Sequence, residues 1–384
     1  MGSLRKKNDS KHHPQIDDLL DEKRRYPGAE NWAPDEERLF TILYFRQERT
    51  LLPLHWNMDF RDIPIFPTIF AQTTTDRPVI YAHSHKEFQA TTALIRLIDL
   101  TRTVRAACQT GNQRKAPAHI KKALDLYVSW AAEDGGYHHL DYVPNLLVDV
   151  VDDGNDEDHI TQHIEGRMRA LARLQRRYFR LDRHSEFWNL DQQRAKHPSF
   201  SSPALLLEKY MPLGDGKGSK TAKRSRRSST HREGGGKKRR VSVDPQQAAK
   251  IKSEPTDDAP EESAAHDDEN VANEAGDNDA RPETGQLFHS PPSPAEATYS
   301  RRPPVVYGLF ILRTSVLLLT VDSSKEEAAA PVSFHVDMHF IDPHQSVWNA
   351  ITVAIAVCLA RDELRARAGD FDPAAVVEES DPDL

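Results

Sequence analysis

Cysteine is nearly missing from this chain: Cys108 and Cys358 are the only two among 384 residues. Neither belongs to a CxxC pair, which excludes a cysteine-built zinc site and a disulfide framework and suits a reducing compartment. Long apolar runs are missing too. The longest, about 347–360, is too short to span a bilayer and reads as a buried helix, so no membrane partner is expected. The opening MGSLRKKNDSKHHPQ lacks the apolar stretch of a secretory signal. Gly2 fails as an acylation site because Lys6 stands where Ser or Thr is needed. Strong charge of one sign is also absent. Lys and Arg number 51 against 59 Asp and Glu, a net −8, so any nucleic-acid contact must be a local patch. No GxSxG elbow, Walker loop, dinucleotide fingerprint or supported Cys–His pair occurs. No cofactor and no catalytic residue is expected.

What is present is unevenly spread. Residues 1–13 read as a disordered N-terminus. Residues 14–210 are rich in aromatics and aliphatics. From about 211 to 303 the chain is first Gly, Ser, Lys and Arg, then Asp, Glu, Ala and Pro. It has almost no large apolar residue before Leu287 and Phe288. Such a stretch cannot bury enough surface to offset its ordering entropy and reads as a disordered linker. The apolar pattern returns over 304–371, and 372–384 reads as an acidic tail.

The N-terminal half reads as helical with short strands. Pro34 and the acids Asp35, Glu36 and Glu37 open a helix. Residues 78–83 suggest a strand. Ser84 with Glu87 suggests a capping box for a helix to about Cys108. A further helix is expected over 117–132, a strand over 142–151, and a long helix from Asp158 to about Leu181. The C-terminal half reads as strand, strand, strand, helix: 305–312, 315–321 with a turn at Arg313-Thr314, 332–341, and 344–368. In the third strand Val332, Phe334, Val336, Met338 and Phe340 are expected on one face. About seventy residues make a small core alone. The expectation is therefore an α+β fold, its mixed sheet built from both halves and interrupted by the long insertion.

Candidate chemistry is sparse. His335, Asp337 and His339 alternate along one strand, which places all three on one face. His-x-His on a strand is used for metals, with His344 nearby as a further ligand. A solvated polar face gives the same pattern. His159 and His163 lie one helical turn apart, but Ile160 stands where HExxH needs its glutamate. Asp322 and Asp337 in a strand-rich array suggest a metal-dependent PD-(D/E)xK-like nuclease or a degenerate relative, with His339 assisting. The run Asp337-Met338-His339 lacks the lysine that such a site requires. The helix at 158–181 and its exit carry Arg167, Arg169, Arg173, Arg176, Arg177, Arg180 and Arg183. This is a candidate DNA or RNA contact, or an ordinary charged helix surface.

The linker carries a denser signal. Lys223-Arg224 and Arg226-Arg227 precede Lys237-Lys238-Arg239-Arg240 by about ten residues, the form of a bipartite nuclear-import signal. Ser242 follows the second cluster as a basophilic kinase site, where a phosphate would offset the positive charge. Lys252 in Ile251-Lys252-Ser253-Glu254 has the form of a SUMO acceptor, and Ser290-Pro291 and Ser293-Pro294 suit proline-directed kinases.

The runs EERLFTILYFRQERTLLPLHW (37–56), RPVIYAHSHKEFQATTALIRLIDLTRTVRAA (77–107), TSVLLLTVDS, VSFHVDMHF and VWNAITVAIAVCLARDEL resemble filamentous-fungal proteins of the hrmA-like family. That resemblance implies a nuclear regulator of colony and biofilm morphology and of fitness at low oxygen (hypoxia). It carries over no site residues. The residues and the resemblance lead to one expectation. It is a non-enzymatic nuclear protein that influences gene expression through an import receptor, nuclear protein partners and a candidate contact with DNA or RNA. A nuclease-like enzyme and a structural adaptor with α-helical oligomer core are the alternatives.

Overall fold

Pro34 does open a helix, but an earlier one precedes it. The computed structural model describes residues 14–211 and 298–373, apart from positions 74, 327 and 328. The basic clusters at 223–240, the modification candidates Ser242, Lys252, Ser290 and Ser293, and both termini lie outside the described residues. The first helix is α1 (Pro14–Arg24), followed by α2 (Pro34–Tyr44), which buries Glu36, Leu39, Phe40 and Ile42.

The strand expected at 78–83 is extended coil. One main-chain bond, from the Ile80 amide to the Leu51 carbonyl at 2.9 Å, and several side chains satisfy this backbone. Arg361 donates to the Tyr81 carbonyl at 2.7 Å, and the His83 and Ser84 amides donate to Asp134 at 2.9 and 3.0 Å. The expected capping box before α3 (Glu87–Gln109) does not form either. Ser84 Oγ donates to Asp134 at 2.7 Å, and Glu87 accepts from Trp56 Nε1 at 2.7 Å. Helix α4 (Ala116–Asp134) packs beside α3.

A two-residue strand β1 (Leu140–Asp141) precedes β2 (Leu146–Val150), which starts later than expected because Pro144 can donate no ladder bond. Helix α5 (Glu157–Phe179) begins at Asp156, whose carboxylate accepts from the His159 amide at 2.9 Å. Two shorter helices follow, α6 (Asp191–Lys196) and α7 (Ser202–Tyr210). The second half supplies β3 (Val305–Leu312), β4 (Ser315–Asp322), β5 (Ser333–His339), α8 (Ser346–Ala366) and the two-residue β6 (Asp372–Pro373), which pairs with β1.

The main sheet has the order β2-β3-β4-β5. Its β2–β3 pair is parallel and its other pairs are antiparallel. Because β2 comes from the N-terminal half, the mixed α+β sheet is shared by both halves, which form one unit. Strand β3 is apolar almost throughout because it is covered on both faces. Val305, Tyr307, Leu309 and Ile311 join the core with α2, α3, α4 and α8, whereas Val306 and Phe310 join the core with α5 and α7. Helix α8 is buried nearly all round, from Val347 to Arg361, as its continuous apolar sequence requires.

Candidate functional site

The pairing of β4 with β5 contains a bulge that decides what His335 can do. Leu318 pairs with Val336, but the next residue, Leu319, pairs with Phe334, so His335 is the extra residue. A bulge shifts the parity of a strand. Asp337 and His339 therefore lie with Leu317 and Ser315 on the face toward α5. His335 lies on the opposite face, bonded to Thr320. The three residues do not share a face, which corrects the metal reading. Among the described residues no group of three or more His, Cys, Asp or Glu could hold a metal ion. The same bulge takes Phe334 off the face it was expected to share with Val336 and leaves it 46% exposed.

His335 joins a buried polar chain. Glu36, in the first turn of α2, reaches back to accept from the Ala33 amide at 3.0 Å with Oε2. Its Oε1 accepts from Thr320 Oγ1 at 2.7 Å, and Thr320 Oγ1 lies 2.7 Å from His335 Nε2. Thr320 has one hydroxyl hydrogen, and it goes to the carboxylate. With Glu36 ionised, His335 Nε2 is the donor to Thr320 and Nδ1 is the acceptor nitrogen. Nδ1 is buried and has no partner among the described residues. Trp32 stands over the imidazole with ring centroids 5.4 Å apart, held by its indole N–H to Ser333 Oγ at 2.8 Å. Burial lowers the His335 pKa from 6.5 to about 4 and raises that of Glu36. The imidazole is thus neutral at neutral pH. His335 also lines a cavity of about 410 Å3 with Tyr26, Phe40, Tyr44, Phe45 and Arg46.

A second buried cluster locks the coil at 81–84 in place. Arg361 is fully buried and donates to Asp134 at 2.7 Å and to Asp362 at 2.7 and 2.9 Å, with Tyr81 packed over its guanidinium at 4.5 Å. Burial raises the neighbouring Cys358 thiol to about 11, so it is not an activated nucleophile.

The nuclease set is dispersed. Asp337 pairs with Leu317, ~16 Å along β4 from Asp322 at ~3.3 Å per residue. The two also lie on opposite faces of the sheet. Asp322 bonds Ser324 and approaches Arg302 and Lys325, while His339 takes Ser315 at 2.8 Å and sits 3.5 Å from Asp337. The histidines of α5 remain apart in role: His159 bonds Asp156 at 2.6 Å and His163 lies 3.8 Å from Asp149.

The arginines of α5 have partners within the chain. Arg167 bonds Asp149 at 2.9 Å, and Arg169 meets Glu165 at 3.0 Å. Arg176 donates to the carbonyls of Ser323 and Lys325 at 3.2 and 2.7 Å. Arg177 lies over Tyr210 at 5.8 Å, Arg180 is bidentate to Asp182 at 2.7 Å, and Arg183 covers Tyr178 at 4.6 Å. Arg173 is likewise engaged.

Sequence reasoning missed Glu36, Trp32, Thr320, Asp134 and Arg361. Thr320 carried a signal, as the one polar residue inside LLLTV. Glu36 carried none, since acids in a first turn are ordinarily solvated.

The fold and site thus define a mixed α+β protein with a buried Glu–Thr–His chain beside an aromatic cavity. No protein-family model, curated protein or solved structure matches the chain. No helix among the described residues is long and apolar enough to cross a membrane.

Proposed function

We propose that this chain is a non-enzymatic regulatory protein of the nucleus that influences gene expression through protein partners. The observation that carries this reading is the pair of basic clusters, Lys223-Arg224/Arg226-Arg227 and Lys237-Lys238-Arg239-Arg240. Two such clusters, separated in a polar segment, can each occupy a site on one extended import receptor. Ser242 and Lys252 are the modification sites that would tune that binding, with Ser290 and Ser293 as proline-directed sites. The hrmA-like resemblance supports a role in colony and biofilm morphology and in fitness at low oxygen. DNA or RNA is a second candidate partner, and the α5 arginines, each engaged within the chain, lend it little support.

The test is a fluorescent fusion with Lys237, Lys238, Arg239 and Arg240 all replaced by alanine. The expected outcome is redistribution from the nucleus to the cytoplasm. Unchanged nuclear fluorescence would sink the reading.

A further inference from the structure

Exposed apolar side chains that share one surface mark interaction sites, whereas scattered ones need no explanation. Helices α3 and α4 present such a surface. Between them runs an open groove of about 400 Å3, walled by Phe88, Thr92 and Ala93 of α3 and by Ala123, Leu126 and Trp130 of α4. Phe88 is 79% exposed and Leu126 54%. The opposite side of α4 is spent on the fold: Ile120, Leu124, Tyr127 and Ala131 are buried in the core. Leu126 lies on the side the core does not use.

That side has an order of its own. Lys122, Leu126, Ser129 and Glu133 are exposed and recur every three or four residues, so they form one stripe along α4. Lys122 and Glu133 have no ion-pair partner among the described residues, whereas the adjacent Lys121 is held by Asp125 and the Val148 carbonyl at 3.0 and 3.2 Å. Lys122 and Glu133 are equally far along the chain from the point between Tyr127 and Val128, and so are Leu126 and Ser129. A second α4, laid antiparallel about a two-fold axis at that point, brings each Lys122 against the other copy's Glu133 and each Leu126 against the small Ser129. The stripe is complementary to itself in charge and in size, which is what an isologous contact requires.

We propose that this face of α4 is a homodimer interface, on which a second copy of the chain seats its own α4 antiparallel. Leu126 is the central anchor and the Lys122–Glu133 pairs close both ends. Two α3–α4 pairs then stand together as a four-helix arrangement. The contact is independent of nuclear import and goes beyond the regulatory reading.

The test measures the mass of the full chain by sedimentation equilibrium across a concentration series. The expected result is a rise with concentration from the chain mass of 43.5 kDa toward twice that value. Leu126→Glu places a carboxylate at the centre of the contact and weakens association about tenfold or more. Lys122→Glu alone and Glu133→Lys alone each set like charges together at both ends of the dimer, and each weakens it about threefold or more. Mixed with each other, these two variants regain opposite charges at both ends, and the heterodimer forms about as tightly as the native dimer. All three positions are exposed, and far-ultraviolet dichroism checks that each variant folds; the charge variants carry the test where Leu126→Glu does not. A chain that stays monomeric throughout, as it would if a helix of another protein filled the groove, overturns the proposal. So does a dimer that Leu126→Glu leaves unchanged, or charge variants that associate no better mixed than apart.

Discussion

His335 shows how much one residue's surroundings can change its chemistry. An exposed strand histidine titrates near 6.5, but burial holds this one neutral until about pH 4. The sign of the pH effect follows. Its folded pKa lies below its unfolded value, so between those two the unfolded chain holds a proton that the native chain does not. Stability then rises with pH, and on acidification it is lost progressively from about pH 6.5 to about pH 4, by up to ~3 kcal/mol. Urea unfolding at pH 7.5 and at pH 5 is expected to show this loss for the native sequence and a smaller one for His335→Phe. Identical pH dependence in both proteins would show that His335 titrates as an exposed group.

At the scale of elements, β3 and α5 depend on a residue with no side chain. Gly308 faces α5, and a Cβ there would stand 2.5 Å from Met168 Sδ and 2.5 Å from a Phe310 ring carbon. Both neighbours are buried, so the added methyl must push helix and strand apart. Gly308→Ala is expected to lower stability by ~1–3 kcal/mol, the range for overpacking a core. Denaturant unfolding checks this, and companion Met168→Ala, by opening space, should recover part of the loss in the double variant. Much at this scale was legible. The helices at 87–109 and 116–134 fall close to the expected ranges, the helix at 346–366 follows from a continuous apolar run, and β3 and β4 follow from β-branched and aliphatic runs. Three readings failed because partners distant in sequence decide them. The coil at 78–83 is held by Arg361 and Asp134 from distant positions. The Ser84 and Glu87 side chains are claimed by Asp134 and Trp56. The parity of β5 is shifted by a bulge that depends on β4.

Across the whole molecule, the parallel β2–β3 pair makes each half incomplete. Without α2, β2, α3 and α4, the apolar face made by Val305, Tyr307, Leu309 and Ile311 would keep only α8 as cover. Fragment 298–373 expressed alone is therefore expected to unfold without cooperativity. Mixing it with fragment 14–211 is expected to restore a cooperative transition and near-ultraviolet dichroism. A cooperative transition in 298–373 alone would show that the halves are separate domains.

The sequence by itself determined the apolar helices, the strands of the C-terminal half, the need for a shared sheet, and the basic clusters on which the nuclear reading rests. These follow from short-range periodicity, from composition, and from a core too small to stand alone. Only the tertiary structure decided that Glu36, Thr320 and His335 form one chain, that His335 parts from Asp337 and His339, and that Arg361 meets Asp134. Thr320 and Glu36 are separated by most of the chain, and a bulge is a property of two strands in register. Such contacts exist only once the sheet has closed, so no pattern along one stretch of sequence could contain them.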